Sequence, residues 1–135
     1  RRCFAKHEAL NLGAEATKRG VVVLAALSLD RASPDAAECL GYAMVQRHSV
    51  VALLHKLVVR PSARRRGVGR ALVEAAVGAA RAGRAQSVTL HVDTTNADAI
   101  ALYQKLDFRI GAVRKDYYAP GRDAHSMELN LLEGV

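Results

Sequence analysis

The stretch Leu57-Val58-Val59-Arg60-Pro61-Ser62-Ala63-Arg64-Arg65-Arg66-Gly67-Val68-Gly69-Arg70-Ala71-Leu72 runs from an apolar strand pattern into a basic, glycine-punctuated turn that opens a helix. A helix N-terminus leaves backbone N–H groups unpaired and carries partial positive charge, which makes it a seat for anions. Gly67 and Gly69 have no side chain to hold an anion away from those groups, and Arg64, Arg65, Arg66 and Arg70 add charge around the same point. The pattern predicts a phosphate site of an uncommon kind. Leu72 stands where a dinucleotide fingerprint wants its third small residue, and no Gly-Lys-Ser/Thr follows as a nucleotide P-loop requires.

A second group of residues lies downstream. In Ser87 to Asp93 the types alternate, with Val88, Leu90 and Val92 facing one way and Ser87, Thr89, His91 and Asp93 the other. A central strand covered by helices is apolar on both faces, so the polar row implies a wet cavity or a solvated face. His91 falls near the strand's C-terminal end, where ligand crevices of open α/β sheets form. Asn96 reads as the N-cap of the next helix, and Tyr103 lies two turns further along it. A phenol of pKa about 10 stays a hydrogen-bond donor at neutral pH. Tyr117 and Tyr118, followed by Pro120 and Gly121, read as a loop that forms a binding rim or an anchor. His55 and Lys56 precede the apolar stretch Leu57-Val58-Val59 and carry no assigned role. His125 alternates with Ser126 and reads as structural, and His7 and His48 have no partner in the pattern.

These segments resemble the GCN5-related N-acetyltransferase (GNAT) superfamily, whose signature Arg/Gln-x-x-Gly-x-Gly/Ala is matched by Arg64-Arg65-Arg66-Gly67-Val68-Gly69. The likeness runs from about Leu53 to Leu132, and is greatest to the N-terminal (Nα) acetyltransferases, such as the ribosomal-protein alanine enzymes and their eukaryotic relatives. It implies an α+β fold with a mixed, largely antiparallel sheet, a splayed central strand pair and helices on both faces. It also implies acetyl-CoA as cosubstrate and no metal. The pantetheine arm would lie along Leu57, Val58 and Val59, with the pyrophosphate on the turn from Arg64, Arg65 and Arg66 through Gly67, Val68 and Gly69 to Arg70. Asn96, Ala99 and Tyr103 would also meet the cofactor. His91 would be the general base and Tyr103 the acid that protonates the CoA thiolate, while Tyr117 and Tyr118 would line the slot for the first residues of a protein or peptide N-terminus. An α-amine titrates near 7.7–8.0 and a lysine amine near 10.4, so an imidazole base suits the α-amine better. Acetylation of lysine side chains or of a small amine, and a non-catalytic acetyl-CoA-binding module, remain as alternatives. The resemblance leaves room for an auxiliary subunit or association with the ribosome. Asp107 departs from the family pattern by standing where Gly is common at a helix-ending turn.

The elements that position these residues follow from periodicity. A helical patch is expected from about Phe4 to Lys18, closed by Gly20, then a buried strand from Val21 to Leu29 and a turn at Arg31 to Asp35. Two meander strands follow, Cys39 to Gln46 and Val50 to Val59, the second ended by Pro61. A helix from Gly67 to Arg84 shows one apolar stripe of Val68, Leu72, Val73, Ala76, Val77 and Ala80. Ser87 to Asp93 is a strand, Asn96 to Leu106 a helix, and Phe108 to Val113 and Ala124 to Leu132 the closing strands. The 135 residues suit one domain, 1–135, with half of them apolar. The apolar run from Val21 to Leu29 is far short of the roughly 20 residues that span a bilayer, so no membrane association is expected. A cytoplasmic protein is expected, with an organelle the alternative if a leader precedes Arg1. Cys3 and Cys39 lack metal spacing and read as reduced thiols. Much of the net charge of +7 lies at Arg64, Arg65, Arg66, Arg70, Arg81, Arg84 and the N-terminal Arg1 and Arg2, where attraction of an acidic cofactor accounts for it, and no nucleic-acid motif with interleaved aromatics accompanies it.

Overall fold

Strands give way to helices along this chain where its apolar residues switch from a period of two to a period of 3.6. The computed structural model describes residues 8–16, 20–30, 33–64 and 67–132. Seven strands and two α-helices follow in order: β1 (Glu8–Ala16), β2 (Val21–Asp30), β3 (Ser33–His48), β4 (Val51–Val59), α1 (Val68–Ala82), β5 (Ser87–Asp93), α2 (Ala97–Lys105), β6 (Arg109–Ala119) and β7 (Arg122–Asn130). They form one sheet in the order β1-β2-β3-β4-β5-β7-β6. Its pairs are antiparallel except β4 with β5, which is the mixed α+β class expected from the sequence. None of the described helices is long and apolar enough to cross a membrane.

The N-terminal third corrects the sequence reading. Residues 8–16 form a strand, where a helix had been expected from Phe4 to Lys18. Leu10, Leu12, Ala14 and Ala16 alternate with polar or glycine positions, and this period-two pattern is satisfied by antiparallel pairing from Glu8↔Asp30 to Ala16↔Val22. Of the expected turn at 31–35, Arg31 and Ala32 lie outside the described residues. Asp30 already pairs with Ser33, so Pro34 and Asp35 lie within β3. Cys39 is a free thiol, and Cys3 and His7 lie outside the described residues.

Helix α1 buries Val68, Leu72, Val73, Ala76 and Ala80. This stripe packs on Leu24, Ala43, Val45, Ala52, Leu54, Val88 and Leu90 from the strands beneath it. Each Val or Leu buried there contributes roughly 1.5–3 kcal/mol. Helix α2 ends at Asp107, whose φ of 74° is left-handed. The aspartate standing at a glycine position therefore keeps the glycine-like turn, and the buried Phe108 that follows packs on Tyr103.

Two irregularities shape the middle of the sheet. β4 and β5 pair only at Val51↔Ser87, Ala52↔Val88 and Leu53↔Thr89. Just beyond, Met44 pairs with Lys56 and Val45 with Leu54, so His55 is an extra residue in β4. A bulge increases local twist and bends its strand, and here it turns β4 away from β5 where their pairing stops. Behind the diverging segment, a Cβ on Gly41 would lie 2.5 Å from the Val58 carbonyl oxygen and 3.1 Å from the Val59 Cα. Gly41→Ala is therefore expected to lower stability by about 1–3 kcal/mol, read as a fall in Tm of several degrees, and an unchanged Tm would show that β3 and β4 separate freely.

Candidate active site

The divergence of β4 from β5 opens a cleft of about 690 Å³. One wall is β4 from Leu54 to Val59, including His55, Lys56, Leu57 and Val58; the other is Leu90 to Asp93 of β5. Arg64, Gly69, Asn96, Asp98, Ala99, Leu102 and Tyr103 close it from the helices, and Tyr118 and Arg122 from the β6–β7 hairpin. Beyond Leu53 the β4 edge that faces β5 has no strand partner among the described residues.

The two helix N-termini near the cleft differ. Gly67 is the N-cap of α1 with φ 79°, a left-handed turn that glycine takes without strain. No side chain caps this end, its first turn has no acidic residue, and its first closing bond runs from the Ala71 N–H to the Gly67 carbonyl. The backbone N–H groups of the first turn are thus left for an anion. Helix α2 is capped: the Asn96 side-chain oxygen accepts from the Ala99 N–H at 3.2 Å, and Asp98 lies in the first turn. Arg64 lines the cleft and donates to the Val59 carbonyl at 3.3 Å. Arg70 pairs instead with Glu74 one turn on, and the Val68 side chain is buried in the core, so that residue offers only its backbone. Arg65 and Arg66 lie outside the described residues.

His91 lines the cleft from β5. Its ring stacks on Tyr117 with centroids 4.7 Å apart and planes 18° from parallel. Arg114 Nη1 lies 3.5 Å from His91 Nε2. A guanidinium only donates, so this contact is a hydrogen bond in the tautomer that carries its proton on Nδ1 and leaves the Nε2 lone pair free to accept. Partial burial and then the Arg114 charge both lower the His91 pKa below its ordinary 6.5. Tyr103 is 6% exposed, and burial, with a smaller push from Tyr118, raises its hydroxyl to about 12. An imidazole held neutral and a phenol held protonated thus line the same cleft.

Tyr117 and Tyr118 belong to β6, where the sequence reading had placed a loop; only Pro120 and Gly121 make the turn. The register explains the placement: Arg114 pairs with Ala124 and Ala119 with Arg122, so residues 115–118 bulge opposite Asp123 alone. Asp116 sits at φ 54° within this bulge. Its N–H donates to Asp123 Oδ1 at 2.9 Å, and its own Oδ1 accepts from the Gly121 N–H at 2.7 Å. The two tyrosines meet edge to face at 4.9 Å. Tyr118 lines the cleft under Arg122, whose guanidinium is 5.2 Å from the ring centre. Arg122 also donates to Asp93 Oδ2 at 3.0 Å, while the Thr95 N–H and hydroxyl donate to Oδ1. These bonds, led by the Thr95 N–H, hold the Asp93 pKa down. His55 and Lys56 prove to be cleft residues; the extra residue in β4 that puts them there leaves no mark in a single sequence. His125 sits within β7 with its Nδ1 buried and unpartnered among the described residues. No cluster of metal-ligating side chains occurs among the described residues.

The family model described as Acetyltransferase (GNAT) family matches residues 13–108. An N-alpha-acetyltransferase from Saccharolobus solfataricus is 42% identical over 65 residues, which cover 47% of this chain and 39% of that protein. A ribosomal protein bS18-alanine N-acetyltransferase from Escherichia coli K12 is 37% identical over 67 residues, 50% of this chain and 45% of that one. The chain therefore matches less than half the length of these curated relatives. Among solved structures, the ribosomal-protein-S18-alanine N-acetyltransferase from Escherichia coli aligns with a TM-score of 0.71 at 27% identity, covering 85% of this chain and 71% of that one. Ard1 from Thermoplasma volcanium aligns with a TM-score of 0.69 at 29% identity over 81% and 71%.

The environment of His91 gives a direct expectation. Followed by NMR as pH falls, its ring is expected to stay neutral through 6.5 and to take up its proton only below that value. A midpoint at or above 6.5 would show that neither burial nor Arg114 acts on it.

Proposed function

The chain belongs to the GNAT acetyltransferase family, and from that premise we propose that it transfers acetyl from acetyl-CoA to the α-amino group of a protein or peptide N-terminus, with both substrates bound at once. The observation that carries this reading is the cleft at the β4–β5 divergence, lined by both His91 and Tyr103. Its features suit the cosubstrate. A bare helix N-terminus answers a diphosphate, an unpaired strand edge answers the amides of an extended arm, and leucine and valine side chains answer its methylenes.

When bound, acetyl-CoA supplies an activated thioester carbonyl that an amine attacks directly. The strand edge at Leu57, Val58 and Val59 pairs with the pantetheine arm. The turn from Arg64 through Arg65, Arg66, Gly67, Val68 and Gly69 to Arg70 holds the diphosphate, with Asn96 and Ala99 alongside. His91 accepts the proton of the incoming amine at its ring nitrogen, directly or through one water, and Tyr103 gives its hydroxyl proton to the departing sulfur. Tyr117 and Tyr118 form the wall against which the first residues of the acceptor lie. An α-amine suits this base because it is partly neutral near pH 7. Of the carboxylates near the cleft, Asp93 is engaged with Thr95 and Arg122, and Asp116 and Asp123 with backbone N–H groups, which leaves Asp98 in the first turn of α2. A polycationic amine would find little there to bind. No nucleophile is required, since Cys39 does not line the cleft.

CoA release with short peptides beginning Met, Ser or Ala tests the reading: turnover with a free N-terminus and none with the same peptide blocked at its α-amine is expected. Turnover only on a lysine side chain or a small amine would replace the proposed acceptor, and cofactor binding without turnover would replace the enzyme by a binding module. His91→Ala is expected to reduce kcat about 10²-fold with the KM for acetyl-CoA nearly unchanged. Tyr103→Phe is expected to slow turnover without lowering Tm; wild-type rates in both variants would remove these roles.

A further inference from the structure

Arg114 is the positive charge nearest the ring of His91, and its place there takes a particular arrangement. Arg114 pairs with Ala124 on β7, and His91 pairs with Ser126 on the other side of that strand. Directly opposed residues share a face of the sheet, so both side chains rise from the same surface with β7 between them. Two strand spacings are roughly 10 Å. The guanidinium nevertheless comes within 3.5 Å of His91 Nε2, across a strand that presents only the small side chains of Ala124 and Ser126. The Tyr117 ring, stacked on His91, lies 5.7 Å from the same guanidinium carbon.

No carboxylate among the described residues pairs with this cation. Arg122, its neighbour across the hairpin, has Asp93. Asp116 and Asp123 are spent on the backbone of the turn. What Arg114 touches is the imidazole lone pair, and that lone pair is what a base needs. A guanidinium gives up a neutral imidazole readily for a carboxylate, because a charge-assisted, bidentate pair is much stronger. Lys56 on the opposite wall adds further positive charge, and no carboxylate among the described residues forms an ion pair with it.

We propose that Arg114 is a specificity-determining residue that selects acceptor peptides whose first residue is aspartate or glutamate. This rests on the reading of His91 as base and of an α-amine as acceptor. The carboxylate of such a residue hangs from the same carbon as the amine, by one or two methylenes. With the amine against His91, the carboxylate reaches the neighbouring guanidinium, draws it off Nε2 and releases the lone pair to take the amine's proton. A first residue without a carboxylate leaves Arg114 competing for that lone pair.

The test compares kcat/KM for peptides identical except at the first position, Asp against Asn and Glu against Gln, with Ala as reference, in the wild type, R114Q and R114E. The wild type is expected to favour the acid over its amide by about tenfold at low salt, less at high salt as the charges are screened. The ratio is expected to fall to near one in R114Q and to invert in R114E. The ratio within one variant is insensitive to general damage to the fold, and R114K, which keeps the charge, is expected to keep part of the preference. Equal rates on acid and amide peptides in the wild type, or an undiminished preference in R114Q, would overturn the assignment while leaving α-amine acetylation standing. Failure of every peptide, alanine included, would instead overturn the acceptor reading and this assignment with it.

Discussion

The whole arrangement depends on β4 leaving β5 after three paired residues. Two parallel strands in the middle of a sheet ordinarily exchange hydrogen bonds along their length and leave no room between them. Here one extra residue at His55 bends β4 aside, and the close approach of Gly41 to Val58 and Val59 keeps it against β3. The result is a gap through the sheet, reached from the helix side and from the hairpin side. On the proposed reading, a cosubstrate from the helix side and an acceptor from the hairpin side would meet there.

The electrostatics follow the same geometry. Helix α1 presents an N-terminus with no cap and no acid, and α2 presents one that Asn96 has already satisfied and Asp98 opposes. The first therefore has free N–H groups to offer an anion and the second has fewer, although both lie beside the cleft. On the acceptor side, burial works on two titrating groups in opposite senses. It disfavours the imidazolium of His91 and the phenolate of Tyr103, so each is held in its uncharged form. The family relationship makes these features intelligible as a transferase site.

From Leu53 onward the sequence was close to sufficient. The glycine pair after a basic run, the apolar stripe of α1, the alternation of β5 and the Asn96 cap are local signals, and each was realised within a few residues. The N-terminal third was less legible because Leu10, Leu12, Ala14 and Ala16 satisfy a strand, while neighbouring apolar positions also suggest a helix, and only pairing with β2 decides the matter. Tyr117 and Tyr118 looked like loop residues since Pro120 and Gly121 follow. Their strand is irregular, and a bulge fixed by side-chain bonds to a strand partner has no signature in one sequence. The contact between Arg114 and His91 was invisible for the same reason: it crosses an intervening strand and is set by the small size of Ala124 and Ser126.

The hairpin of β6 and β7 has a consequence for how such a protein diversifies. Its tip is fastened to itself, through Asp116, Gly121 and Asp123, and to the rest of the cleft through Arg122 and Asp93. The donor side hangs from a separate stretch of chain, the β4–α1 connection. On the proposed reading, exchange or drift of about a dozen residues around the tip would recast the acceptor while the donor side is inherited intact.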